Sequence, residues 1–293
     1  MTERGPSHLS WFLRVTALVA ALAVATAAPA LPAPSALSRR IVSLNLCTDQ
    51  LLLQLVDPAR IASLTYLAAD PELSAQAERA RGVPWVRATA EEVILLRPDL
   101  ALAGDYGAPE AVSALRRWGI PVVQFAPAQS WEAIREQLRR AADAVQEVEK
   151  GEALLEWMNA SLAALEARKL AAMLRAIVVQ ADGATYGSET LADVVLRAAG
   201  FRNLAAELGI VGYGSISLER ILLSDPDLVI VFEYHSDVPT LGRIHLRHPA
   251  LRGRTLGRVA LPAAPFFCGT IDTVRAVQRL VEWRERAGLG AHP

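Results

Sequence analysis

From Arg40 onward, short apolar runs bounded by turn residues alternate with stretches in which apolar residues return every third or fourth position. The first pattern marks strands buried on both faces, and the second marks amphipathic helices. Strands are predicted at 41–44, 60–65, 99–103 and 121–125, with helices at 50–56, 89–97 and 109–118. Asn45 to Asp49 reads as a polar turn after the first strand. Between 130 and 174 the strand signal lapses. Ala153, Leu154, Trp157, Met158, Leu162 and Leu165 follow helical spacing there. Two helices are predicted, broken near Val145 to Gly151, the second of about 20 residues and hence about 30 Å long. Alternation then resumes, with strands at 176–180, 228–232 and 258–261 and helices at 190–199, 217–224 and 270–286. The fold class is α/β: two lobes with mainly parallel sheets (40–146 and 171–293), joined by one long α-helix at 147–170.

An internal repeat supports the two-lobe reading. Residues 89–103 (TAEEVILLRPDLALA) align without gaps to 217–231 (SLERILLSDPDLVIV), at an offset of 128 residues. Each copy is a capped helix, a proline stop and a buried strand. The offset matches Glu91 to Glu219, and Trp85 to Tyr213, each aromatic standing six residues before its glutamate.

Part of the apolar content is an address. Arg4 and Arg14 precede an uncharged run from Val15 to Ala28 rich in Ala, Val and Leu, followed by small-residue cleavage sites. Residues 1–28 read as a secretory signal peptide and 29–39 as a Pro/Ala-rich leader. No cysteine follows the run closely enough to carry a lipid, so an exported, soluble periplasmic protein is expected rather than a lipoprotein. A net charge of −1 over 293 residues argues against nonspecific nucleic-acid binding. Two cysteines exclude a disulfide-rich scaffold and a four-cysteine zinc site.

Ligands of open parallel sheets bind beyond the carboxyl ends of the strands. Two such lobes facing each other define a cleft lined by 45–49, Tyr66, 104–107, 183–188, 233–236 and 262–269. These segments are rich in aromatic and small polar residues, including Cys47, Tyr186, Phe266 and Phe267. They suit a sizeable, partly flat ligand held by apolar contact and a few hydrogen bonds. Cys47 and Cys268 fall at cleft-facing strand ends, one in each lobe. In an oxidising compartment they form a disulfide if their Cα atoms come within about 7 Å; otherwise one or both line the cleft. His235, His245 and His248 raise a metal site, but the first lobe offers no histidine to share with them, and no metal is expected. Catalytic signatures such as G-x-S-x-G and G-x-G-x-x-G are missing from the places that would support them. The remote enzymatic alternative is an exported hydrolase using Cys47.

The order signal peptide, R-I-V-S-L-N-L-C-T-D-Q-L, E-x-x-x-x-x-R-P-D-L, long helix and a second L-E-x-I-L-x-x-x-P-D-L resembles the periplasmic binding proteins of the cobalamin and ferric-siderophore import family, over essentially all of 40–286. The resemblance implies two α/β lobes on a single rigid helix, little lobe movement on binding, and no catalysis. It implies a metal-chelate ligand (cobalamin or ferric siderophore, with haem as the alternative) and no resident cofactor. Trp85 and Tyr213 would stack on the ligand, and Tyr66 corresponds to a cleft tyrosine of vitamin B12-binding members. Glu91 and Glu219 would dock on arginines of an ABC transporter permease dimer. The protein would act as a monomer, downstream of an outer-membrane receptor. The segment Pro265-Phe266-Phe267-Cys268-Gly269 is apolar where vitamin B12-binding members carry charge, and a basic cluster for an anionic catecholate is missing. The ligand therefore stays open among the three.

Overall fold

The structure, a computed structural model, describes residues 40–168, 173–180, 182–233 and 257–287. The signal peptide and leader expected at 1–39, the three histidines 235, 245 and 248, and the cleft segment 234–236 lie outside the described residues.

The first sheet is wholly parallel, in the order β3-β2-β1-β4-β5. Its strands are β1 (Ile41–Ser43), β2 (Ile61–Thr65), β3 (Trp85–Val86), β4 (Leu100–Gly104) and β5 (Val122–Phe125). Strand order reverses between β1 and β4, which opens a crevice at their carboxyl ends. The second sheet runs β11-β10-β6-β7-β9, with β8 paired to β6. Its strands are β6 (Leu174–Val179), β7 (Ala184–Tyr186), β8 (Phe201–Asn203), β9 (Tyr213–Ser215), β10 (Leu228–Glu233) and β11 (Gly257–Pro262). Here β7 pairs antiparallel with both β6 and β9, and the other pairs are parallel. Strands β3, β7, β8 and β9 escaped the pattern reading because they are two or three residues long and, unlike β1, do not stand in an apolar run.

Around the sheets lie α1 (Leu46–Leu55), α2 (Ala77–Ala80), α3 (Ala90–Leu95), α4 (Pro109–Arg117), α5 (Trp131–Ala144) and α6 (Val148–Glu166). They are followed by α7 (Leu191–Ala198), α8 (Leu204–Glu207), α9 (Leu218–Ser224), α10 (Ala264–Phe267) and α11 (Thr273–Arg286). Helix α6, 19 residues long, is the long helix expected between the sheets. One correction concerns 45–49, read above as a turn. Leu46 already begins α1, because Asn45 caps it by accepting from Thr48 N at 2.9 Å. The cap satisfies an amide that the first turn leaves without a partner.

Period-two alternation sorts the strands between two layers of core. Ile41, Leu102, Val178 and Ile230 face a single large cluster, which also holds Leu155 and Met158 of α6 and Leu280 of α11. Their strand neighbours Val42 and Ala101 face an outer cluster in the first lobe. Ile177 and Val229 do the same in the second. The central core is continuous through both lobes, so they are halves of one body. The described residues all fall within one compact unit.

Polar and covalent ties reinforce that seam. Cys47 of α1 and Cys268, just past α10, form a disulfide with Cα atoms 5.2 Å apart. Gln54 and Gln76, both in the first lobe, donate through Nε2 to buried Asp272 Oδ2 at 2.6 and 2.5 Å. Gln137 Nε2 donates to Gly269 O at 3.0 Å, and Leu191 N donates to Gln129 Oε1 at 2.5 Å. A Cβ on Gly269 would lie 2.3 Å from the Ala128 carbonyl oxygen, so only glycine lets the two lobes approach this closely.

Candidate functional site

The carboxyl ends of β1 and β4, where the first sheet reverses, form the floor of a cavity of about 370 Å3 between the lobes. Asn45, Gly104 and Tyr106 line it from one side, and Leu191, Tyr213 and Phe267 from the other. Asn45 lies so close over β4 that a Cβ on Gly104 would fall 2.0 Å from its Nδ2. A second groove, of about 590 Å3, covers the first lobe and meets the cavity at Asn45. Tyr66, Arg87 and Glu91 line that groove.

The aromatic candidates occupy different positions. Trp85 is 56% exposed and Tyr213 is 71% exposed, so neither is a core residue. Each meets a tyrosine edge-on: Trp85 meets the exposed Tyr66 at 6.4 Å between ring centroids, and Tyr213 is backed by the buried Tyr186 at 5.2 Å. Of these four rings Tyr213 lines the inter-lobe cavity and Tyr66 the first-lobe groove. Tyr186 and Phe266, proposed above as ligand contacts, are buried instead. Tyr186 lies 5.8 Å and Phe266 4.9 Å from Phe232, so they support Tyr213 and Phe267 from behind and do not line the cavity. Tyr106, 76% exposed on the loop after β4, was not singled out from the sequence. Its place in a Gly-flanked loop at a strand end was the available signal.

Cys47 lines the cavity, but its sulfur is bonded. The hydrolase alternative loses its nucleophile, since catalysis of that kind needs a thiolate. Among the described residues no cluster of His, Cys, Asp or Glu is arranged to hold a metal ion.

Beneath the site, Asp49 is fully buried in α1, although 45–49 was read as cleft lining. It accepts hydrogen bonds from Thr65 N, at 3.0 Å, and from Thr65 Oγ1. The carboxylate thereby ties α1 to the end of β2, where Tyr66 leaves the sheet. Burial pushes its pKa up to about 7, against the lowering effect of hydrogen bonds from Ser43 and Thr65. The unfolded chain releases this proton near pH 4, as a free aspartate does. Between those values the folded state holds more protons, so stability falls as pH rises from about 4 to 7 and levels off above. In denaturant titrations across this range, Asp49→Asn should flatten the profile and gain on wild type by on the order of 4 kcal/mol by pH 8. Parallel profiles for the two proteins would refute the assignment.

The helices beside Trp85 and Tyr213 carry the matched glutamates. Thr89 caps α3 by accepting from Glu92 N at 3.3 Å, and Glu92 Oε2 accepts from Arg87 N at 2.7 Å. Structural duty at this helix start therefore falls to Glu92, while Glu91 is exposed. In the second lobe Ser217 caps α9 in the same way through Arg220 N, and Glu219 is exposed.

Two α/β halves that share one core and a disulfide, with Tyr106, Tyr213 and Phe267 lining a cavity at their strand ends, define a two-lobed binding protein. Residues 41–237 match the periplasmic binding protein family, and the chain belongs to it. Cobalamin-binding proteins from two strains of Halobacterium salinarum are 27% identical over 195 residues, covering 65% of this chain and 53% of theirs. The chain thus spans about half the length of the curated relatives it matches. The periplasmic heme-binding protein RhuT from Roseiflexus sp. RS-1 superposes with a TM-score of 0.72 at 26% identity, over 85% of this chain and 99% of that one. The vitamin B12-binding protein BtuF of Vibrio cholerae shares the fold at 17% identity and a TM-score of 0.66, over 86% of this chain and 98% of that one.

Proposed function

We propose that this chain is the periplasmic solute-binding component of an ABC importer, exported by the signal peptide at 1–28, and that it captures a large metal chelate without transforming it. The observation that carries this reading is the lining of the inter-lobe cavity, with Tyr106 on the first lobe and Tyr213 and Phe267 on the second, in a chain whose residues 41–237 match the binding-protein family. Stacking on both sides of a flat ligand needs such rings and no catalytic group. Delivery would go to a permease dimer, with Glu91 and Glu219 as docking residues and an outer-membrane receptor upstream; the protein would act as a monomer.

Among metal chelates, the lining favours a corrinoid. Asn45, Tyr106, Gln129 and Gln137 supply amides and hydroxyls, and Asp105 is the sole formally charged residue among the described residues lining the inter-lobe cavity. A corrinoid carries a fringe of neutral amides that such groups match. Haem propionates and ferric catecholates present anionic oxygens, which are recognised by cations. The cobalamin-binding relatives from Halobacterium point the same way.

The test is the visible absorbance and native mass of the protein purified from its own periplasm, since corrinoid, ferric siderophore and haem differ in both. A corrinoid spectrum is expected; a haem or siderophore spectrum would move the ligand within the same reading. No chelate, together with no binding of any of the three in titrations, would end it. With the ligand in hand, Trp85→Ala or Tyr213→Ala should weaken affinity at least tenfold, a stacked anchor contributing on the order of 2 kcal/mol. The melting temperature should hold within about 2 °C, because both rings are surface residues. Unchanged affinity in either variant would remove that ring from the site.

A further inference from the structure

The repeat noticed in the sequence is reproduced in three dimensions at the lobe tips. Trp85 and Tyr213 begin matched edge strands, β3 and β9. In the helices that follow, Val93 and Ile221 are the buried residues. Arg97 and Asp225, again 128 apart, both adopt the left-handed conformation, with φ of 46° and 48°. Non-glycine residues rarely take it. Each is followed by a buried proline, and the aspartates beyond, Asp99 and Asp227, accept from Arg40 N and Arg175 N. Two surfaces of the chain therefore have nearly the same backbone.

On these surfaces stand Leu95 and Leu223, 81% and 84% exposed, the most exposed large apolar side chains among the described residues. A single exposed leucine needs no explanation. This pair occupies equivalent positions in the repeat, and each lies four residues after a glutamate, Glu91 or Glu219. Residues four apart share one face of a helix. Each lobe tip thus offers a carboxylate and an apolar knob, one turn apart, in the same arrangement.

We propose that Leu95 and Leu223 are a matched pair of anchors that insert into two equivalent apolar pockets, each beside a cation, on a partner built from two copies of one subunit. A surface with an internal repeat is complementary to a two-fold partner, because such a partner presents every pocket twice. The carboxylates select a cationic rim, and the leucines fill the apolar centre that a salt bridge alone leaves wet. The inference rests on the importer reading, which supplies such a partner in the permease dimer, and adds to it an apolar, salt-insensitive half of the docking contact.

The experiment measures binding of the full-length mature protein to its own permease dimer in nanodiscs, at low and high salt. Leu95→Ser and Leu223→Ser should each weaken the complex about tenfold, and together at least a hundredfold, as expected for burying two leucines on separate lobes. The loss should be the same at both salt concentrations. Leu95→Met with Leu223→Met, which keeps the apolar surface, should restore binding, and ligand affinity and melting temperature should not change in any variant. Wild-type affinity in the double serine variant, or a loss confined to one leucine, overturns the inference while leaving the importer reading intact. A wild-type protein that ignores the permease overturns both. Sedimentation of the free protein covers the remaining occupant: a dimer that the serine substitutions abolish would assign the leucines to self-association and overturn the proposal.

Discussion

Replacing Glu91 and Glu219 together by alanine is expected to abolish uptake while leaving ligand affinity within about twofold. Both side chains are exposed, and their helices are equivalent in sequence, capping and the turn that ends them. In the first lobe the capping hydrogen bonds use Glu92, so substitution at 91 leaves the helix start intact. Truncating one member of a desolvated charge pair at an interface costs on the order of 2–5 kcal/mol. Losing one pair on each lobe would weaken docking about a thousandfold or more. Uptake of labelled ligand, in cells where variant and wild type reach equal periplasmic abundance, measures the effect, and calorimetric titration of the purified variant checks the ligand site. Wild-type uptake at matched abundance would show that the glutamates do not dock.

Breaking the Cys47–Cys268 bond should produce the largest change in stability. The bond closes a segment with a sequence separation of 221 residues. For a loop of that size, restricting the unfolded chain contributes about 5 kcal/mol in the chain-entropy model, an upper figure because denatured chains retain structure. Cys47→Ser with Cys268→Ser should accordingly lower the denaturation midpoint steeply, and reductant should do the same to wild type and nothing to the variant. Ligand affinity should change little. The hydrogen bonds from Gln54 and Gln76 to Asp272 and the contact of Gly269 with Ala128 hold the same seam without the bond. Identical midpoints with and without reductant would contradict this, as would two free thiols per chain in denatured, unreduced protein.

Much of the fold was legible because its strands are long enough to carry a pattern. β4 and β10 are runs of five and six residues after a proline stop, and each was read from its apolar run. The aromatics were less legible. Trp85, Tyr213, Tyr186 and Phe266 are alike as residue types in strand-end segments, yet two are exposed and two are buried. The difference lies in the second sheet, where β7 and β9 pair antiparallel and place Tyr186 opposite Tyr213. Strands of three residues give no sign of that pairing. Asp49 shows the same limit, because a carboxylate in the first turn is favoured on solvent-exposed and buried helices alike.

The sequence by itself determined the alternation of strands and helices, the long helix between two α/β halves and the repeat that marks their tips. These follow from local periodicity, proline stops and caps, which act over a few residues. Only the tertiary structure decided what depends on contacts between distant segments. It brought Cys47 within 5.2 Å of Cys268, buried Asp272 under amides from the other lobe, and merged the two halves around one core. It also set Leu95 and Leu223 on the surface, although their apolar character alone would place them inside. Burial is a property of the assembled fold, fixed by which neighbours remain once every strand has found its partner.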